Sequence, residues 1–131
     1  MIRPRVLLAD DHPALREATL VLLRPHFEVV GTARDGVEMV SEALRLNPDI
    51  IVADITMPVL SGIDAANKLR RSGCTAKLVF LTIHSDEEFV NACVAEGALG
   101  YVLKSRMKAH LIPAIQAALT GQSYISPLLF F

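Results

Sequence analysis

Ile50-Ile51-Val52-Ala53-Asp54 is the stretch that decides the fold: four apolar residues, three of them β-branched, that stop at a carboxylate. The same form recurs three more times. Val6-Leu7-Leu8-Ala9 stops at Asp10 and Asp11, Leu78-Val79-Phe80-Leu81 at Thr82, and Leu99-Gly100-Tyr101-Val102-Leu103 at Lys104. Short unbroken apolar runs are the mark of strands covered on both faces, as in parallel sheets. If the four runs are neighbouring parallel strands, all five polar residues land on one edge of one sheet. That edge then carries three carboxylates, a hydroxyl and an ammonium, a set suited to a divalent metal and a phosphoryl group.

Helix signals fill the intervals. Pro13 suits the first turn of a helix running to about Arg24, with Leu15, Ala18 and Leu22 as inward positions. His26 to Thr32 reads as a further strand. Asp35 followed by Glu38 is a capping-box variant opening a second helix, which Asn47-Pro48 ends. Ser61 caps a third that stops at Gly73, and Ser85 with Glu88 opens a fourth that stops at Gly97. A fifth covers roughly Met107 to Thr120 before Gly121. Pro113 resists this pattern, because a proline inside a helix removes a backbone bond and clashes with the preceding turn. A kink there is expected, or a helix that begins near Leu111. Strand and helix alternate five times, which implies an α/β protein with a doubly wound parallel sheet and helices on both faces. In such sheets ligands sit beyond the carboxyl ends of the strands.

Composition narrows the function. With 131 residues the chain forms one domain with a full core of its own. Its 52% hydrophobic content fits strands buried on both faces. No run approaches the ~18 apolar residues of a membrane span. The basic start Met1-Ile2-Arg3-Pro4-Arg5 is followed by too short an apolar stretch for a secretory signal, so a cytoplasmic protein with no membrane partner is expected. The net charge is −1, and Arg70-Arg71 is the only adjacent basic pair, so no nucleic-acid stripe is present. Cys74 and Cys93 have no metal-ligand spacing and read as reduced packing residues. The four histidines, His84 at the mouth of a loop among them, read as solvated or loop residues.

The acidic edge sets the chemistry. Two like charges about 4 Å apart repel by ~4 kcal/mol at an effective dielectric near 20. Asp10, Asp11 and Asp54 therefore need a cation, or a proton on one of them. All-oxygen ligation favours Mg²⁺, Mn²⁺ or Ca²⁺ over zinc. Taken singly, each aspartate is better explained as a helix or loop cap. It is the combination with Thr82 and Lys104 that capping does not explain.

These residues, in this order, resemble the receiver domain of two-component response regulators, a phosphoacceptor module. The resemblance rests on Leu8-Ala9-Asp10-Asp11-His12-Pro13, Asp54-Ile55-Thr56-Met57-Pro58 with Gly62, Phe80-Leu81-Thr82, and Gly100-Tyr101-Val102-Leu103-Lys104, and covers essentially the whole chain. His12-Pro13, Leu81-Thr82-Ile83-His84 and Gly121-Gln122-Ser123-Tyr124-Ile125-Ser126-Pro127 further resemble the branch with LuxR-type helix-turn-helix output domains. The resemblance implies a flavodoxin-like, five-stranded parallel sheet in the order 2-1-3-4-5. It implies that Asp54 takes a phosphoryl group from a histidine kinase, and that Asp11, Asp54, the Thr56 carbonyl and, through water, Asp10 hold Mg²⁺, with Mn²⁺ as a substitute. Lys104 pairs with the phosphoryl oxygens and Thr82 donates a hydrogen bond to one. Thr82 and Tyr101 form the switch that biases the surface of the fourth helix, fifth strand and fifth helix.

Two residues depart from the family's habit. Proline often follows the lysine at a cis bond; here Ser105 does, and a cis Lys104–Ser105 bond would have to be imposed by the site at ~3–4 kcal/mol. Ile83 replaces a small residue beside Thr82, and its bulk is expected to slow loss of the phosphoryl group. Residues 1–121 are expected to form the receiver, and 122–131 a tail or the start of a linker to an output domain outside this stretch. The ten last residues are too few for a helix-turn-helix, so direct nucleic-acid binding is not expected of them. Leu128-Leu129-Phe130-Phe131 suits packing back on the domain or a homodimer surface. The expected function is Mg²⁺-dependent phosphoryl acceptance that switches conformation to control an output, transcription in a longer protein. The alternatives are a phosphorylation-independent interaction module and an aspartyl-phosphate phosphatase, but the latter needs a second aspartate where Thr56 stands. A flavodoxin-type electron carrier is disfavoured, because Asp10-Asp11 would repel a flavin phosphate.

Overall fold

The computed structural model describes residues 2–83 and 87–125. Its strands are β1 (Arg5–Ala9), β2 (Glu28–Ala33), β3 (Ile50–Ala53), β4 (Lys77–Thr82), β5 (Gly100–Leu103) and β6 (Tyr124–Ile125). Its helices are α1 (Pro13–Leu23), α2 (Gly36–Leu46), α3 (Gly62–Arg71), α4 (Glu87–Ala95) and α5 (Met107–Leu119). All pairings are parallel, in the order β2-β1-β3-β4-β5-β6. The five expected strands stand in the expected order. A sixth, of two residues, adds to the β5 edge with Gly100 opposite Tyr124 and Tyr101 opposite Ile125.

Strand pleating divides the core in two. Leu7, Ala9, Ile51, Ala53 and Phe80 pack with residues of α2, α3 and α4 on one face of the sheet. Val6, Leu8, Ile50, Val52, Val79, Leu81 and Val102 pack with α1 and α5 on the other. Burial on both faces accounts for the strands' unbroken apolar runs.

The helix ends follow side-chain chemistry. Asp35 accepts the Glu38 amide at 2.7 Å, while the Glu38 carboxylate reaches back to the Arg34 amide at 3.1 Å. This is a capping box returned to the residue before the cap. Asn47 ends α2 in the left-handed region at φ 51°, a conformation asparagine tolerates better than most residues. Ser61 accepts the Asp64 amide and opens α3. Ser85, with the expected start of α4, lies outside the described residues.

Three expectations are corrected. Of the expected inward positions of α1, Leu15 and Leu22 pack half-buried against the core while Ala18 is exposed, and the fully buried positions are Thr19, Leu20 and Leu23. Thr19 is buried at low cost because its hydroxyl donates to the Leu15 carbonyl at 2.8 Å and lies 3.6 Å from the Met107 sulfur. The second strand begins at Glu28, after a turn through His26 in which Phe27 is already buried. Finally, α5 runs from Met107 to Leu119 with Pro113 inside, close to the expected Met107 to Thr120, and the alternative start near Leu111 is excluded. Pro113 and Ala109, whose carbonyl loses its partner, are both exposed, so water can take the freed acceptor.

Candidate phosphoacceptor site

Register brings the polar residues together. Ala9 pairs with Ala53, so Asp10 and Asp54 leave adjacent strands side by side, and the Asp54 amide donates to the Ala9 carbonyl at 2.9 Å. Thr82 pairs with Leu103, which puts Lys104 one residue beyond the next strand. Lys104 Nζ donates to Asp54 Oδ2 at 3.0 Å and lies 3.5 Å from Asp10 Oδ2. The Thr56 amide donates to Asp54 Oδ1 at a long 3.3 Å, and the His12 amide to Asp10 Oδ1 at 2.9 Å. Asp10 and Asp54 are almost fully buried. The described peptides include no cis bond, so Lys104–Ser105 is trans and leads directly into a short 3₁₀ turn, Lys104–Arg106.

The segment after β3 is held tightly. The Gly62 amide donates to the Ile55 carbonyl at 2.8 Å. A β-carbon at Gly62 would stand 2.0 Å from the Asp54 carbonyl oxygen, and one at Gly36 would stand 2.0 Å from that of Leu60. Glycine at both places lets the starts of α2 and α3 press against the loop that carries Asp54.

Asp54 lines a cleft of about 470 Å³ with Asp11, His12, Ala14, Leu15, Thr56, Ile83 and Lys104. Burial pushes the Asp54 carboxyl above the ordinary carboxylate range, and the charge of Asp10 adds to this. The Lys104 hydrogen bond and charge, with the Thr56 amide, pull it back without cancelling the rise. Ile83 is 74% exposed, so its side chain stands at the rim. Thr82 is fully buried at the end of β4 and is not among the cleft's lining residues. Tyr101 is buried in the core beneath α4, and His84 lies outside the described residues.

The acidic cluster fits a divalent cation. Oxygens of Asp10, Asp11 and Asp54 and a ring nitrogen of His12 all lie within 4.8 Å of one another. Asp11 Oδ1 is buried and accepts no hydrogen bond, an orphaned acceptor in a residue that shares this cluster with two other carboxylates. A buried acceptor without a partner is costly unless something positive meets it. Sequence reasoning missed His12, which the residue order places beside the acidic pair but whose ring direction only the fold reveals.

Residues 6–116 match the response regulator receiver domain family. The chain belongs to that family. This receiver is 39% identical over 124 residues to the nitrate/nitrite response regulator protein NarP of Escherichia coli (strain K12), covering 93% of the chain and 58% of the relative. It is 35% identical over 125 residues to the transcriptional regulatory protein DegU of Brevibacillus brevis, covering 94% and 53%. The receiver thus spans a little over half the length of the curated relatives it matches. Among solved structures it resembles a LuxR-family two-component response regulator from Aurantimonas sp. SI85-9A1, with a TM-score of 0.92 and 36% identity, covering 97% of this chain and 92% of that one. It also resembles the receiver domain of the putative response regulator NarL from Mycobacterium tuberculosis, with a TM-score of 0.88, 26% identity, and coverage of 93% and 100%. A receiver is a signalling domain, and the kinship with LuxR-type regulators suggested by the His12-Pro13 and late glycine-tyrosine segments holds. No helix among the described residues is long and apolar enough to cross a membrane.

Proposed function

We propose that this receiver accepts a phosphoryl group on Asp54 from the phosphohistidine of a sensor histidine kinase. An Asp54 carboxylate oxygen forms the new bond to phosphorus, the nitrogen–phosphorus bond breaks, and the departing imidazole regains its electron pair. The observation that carries the reading is Lys104 Nζ, 3.0 Å from Asp54 Oδ2 and itself beside a cleft with an orphaned Asp11 oxygen. A structural ion pair alone would not need a third carboxylate with a buried oxygen that accepts no hydrogen bond.

Asp11, Asp54 and the Thr56 carbonyl would hold Mg²⁺, or Mn²⁺ in its place, with Asp10 acting through water. The bound ion would neutralise charge on the carboxylates and the incoming group. Lys104 positions Asp54 and offers a second cation to the phosphoryl oxygens. The phosphoryl group adds roughly −1.5 to −2 charges. Thr82, donating to it, and Tyr101 behind it would then bias the α4–β5–α5 surface toward a partner-binding state, through contacts that differ between the two states. In a longer protein of the kind its relatives represent, the output would be transcriptional. Residues 1–121 would act as the receiver and 122–131 as the lead into that output, in a cytoplasmic protein that pairs with a second copy on phosphorylation and leaves DNA contact to its output domain.

The test is incubation with Mg²⁺ and a small phosphodonor such as acetyl phosphate, read by intact mass. A single alkali-labile phosphate adduct, absent in Asp54→Asn and without added Mg²⁺, is expected. An unmodified mass under these conditions overturns the reading in favour of an interaction module, and sustained release of phosphate from esters overturns it in favour of a phosphatase.

A further inference from the structure

We propose that His12 supplies a nitrogen ligand to the metal site, so that the receiver prefers Mn²⁺ and related transition ions over Mg²⁺. This rests on the phosphoacceptor reading, which requires a divalent ion at that place, and adds to it the identity of the ion.

The argument begins with backbone. Proline at position 13 disfavours helical geometry for the residue before it, and His12 is extended at φ −93° and ψ 111°. His12 occupies the N-cap of α1 but makes no side-chain capping bond. Its ring is instead turned onto the acidic pair, with Nδ1 3.1 Å from Asp11 Oδ1 and 3.6 Å from Asp10 Oδ1. At 3.1 Å a hydrogen bond is the first explanation, but Asp11 Oδ1 accepts none. The two atoms are close without pointing at each other.

That is the relation between neighbouring ligands of one ion. Donors adjacent around an octahedral ion with ~2.1 Å bonds stand ~3.0 Å apart, each lone pair directed at the ion rather than at its neighbour. The Nδ1–Oδ1 separation matches this spacing. Ligation through Nδ1 leaves the ring proton on Nε2, and the ring is largely exposed, so that proton can be solvated. Magnesium is a hard ion that gains little from imidazole, whereas transition ions gain a favoured ligand.

The test uses the full chain, stripped with chelator and desalted, with Mn²⁺ and Mg²⁺ as the only probes. Mn²⁺ binding is followed by loss of the free-ion electron paramagnetic resonance signal, Mg²⁺ binding by competition, and the bound state by pulsed nitrogen couplings. Imidazole nitrogen coupling to bound Mn²⁺ is expected. His12→Asn, which keeps a good helix cap, is expected to abolish that coupling and weaken Mn²⁺ about 10-fold or more, while Mg²⁺ affinity changes less than about 2-fold. Circular dichroism on this variant checks that α1 still forms. Absence of nitrogen coupling in the wild type, or equal weakening of both ions, overturns the role of His12 while leaving the oxygen site intact. Failure of the wild type to bind either ion at millimolar concentration overturns the metal site itself, and with it the phosphoacceptor reading.

Discussion

Replacing Lys104 by methionine tests whether the site is electrostatically stressed. Lys104 is 9% exposed and faces two buried carboxylates at 3.0 and 3.5 Å. At an effective dielectric near 20 each attraction is worth about 5 kcal/mol gross, most of it offset by the cost of burying the charges. Removing one partner of such a pair leaves that cost uncompensated and destabilises by about 3–5 kcal/mol. For a chain of this length a 3 kcal/mol loss lowers the melting temperature by roughly 10 °C. We expect Lys104→Met to show that loss in urea unfolding with chelator present. In an Asp54→Asn background one of the stranded carboxylates is gone, so the cost should fall by at least about 1 kcal/mol. Millimolar Mg²⁺ should recover part of the loss in the Lys104→Met single variant. A Lys104→Met cost below about 1 kcal/mol, or one unchanged by Asp54→Asn, would refute the charge argument.

Other expectations follow from the same geometry. Folding raises the Asp54 pKa, so its contribution to stability is fully present below the unfolded value of about 3.9 and is lost as pH rises through the folded value. Asp54→Asn should therefore be more stable than wild type near pH 7 in chelator, with the margin closing toward about pH 4; a margin that widens on acidification contradicts this. Gly62→Ala must displace the Asp54 carbonyl, costing about 1–3 kcal/mol in urea midpoints and slowing phosphate incorporation, and wild-type behaviour in both assays would argue against the clamp. Burial pushes the Cys93 thiol up to about 12, so Ellman's reagent should titrate Cys74 alone in the native chain and both thiols in guanidinium. Equal rates for the two would show that α4 opens readily. Ile83→Ala should shorten the phosphoryl half-life without moving stability by more than about 0.5 kcal/mol, since Ile83 is exposed; an unchanged half-life removes its shielding role.

Most of the sheet was legible because strands buried on both faces write themselves as apolar runs, each ending where the edge needs chemistry. Asp10, Asp54 and Lys104 followed from that pattern once the strands were placed in parallel. The inward face of α1 was legible only in part: Leu15 and Leu22 pack against the core, but Thr19 reads as a surface residue until its hydroxyl is seen to be satisfied within its own helix. Two-residue β6 lies below any periodic signal. Pro113 looked disruptive because sequence does not reveal which side of a helix meets water. The place of His12 in the site depended on the direction of its ring, which lies against Asp10 and Asp11 and which residue order does not reveal.

The two glycine contacts make the walls of the cleft mechanically unequal. On the β3 side, backbone abuts backbone, with the first turns of two helices braced against the loop that carries Asp54. Opposite stand the exposed side chain of Ile83 and the Lys104 ammonium, held by side-chain ion pairs to Asp54 and Asp10 rather than by backbone contact. The carboxylate of Asp54 thus has a wall of close-packed backbone on one side and a wall of side chains on the other. Two missing methyl groups decide which of the walls can be built of backbone.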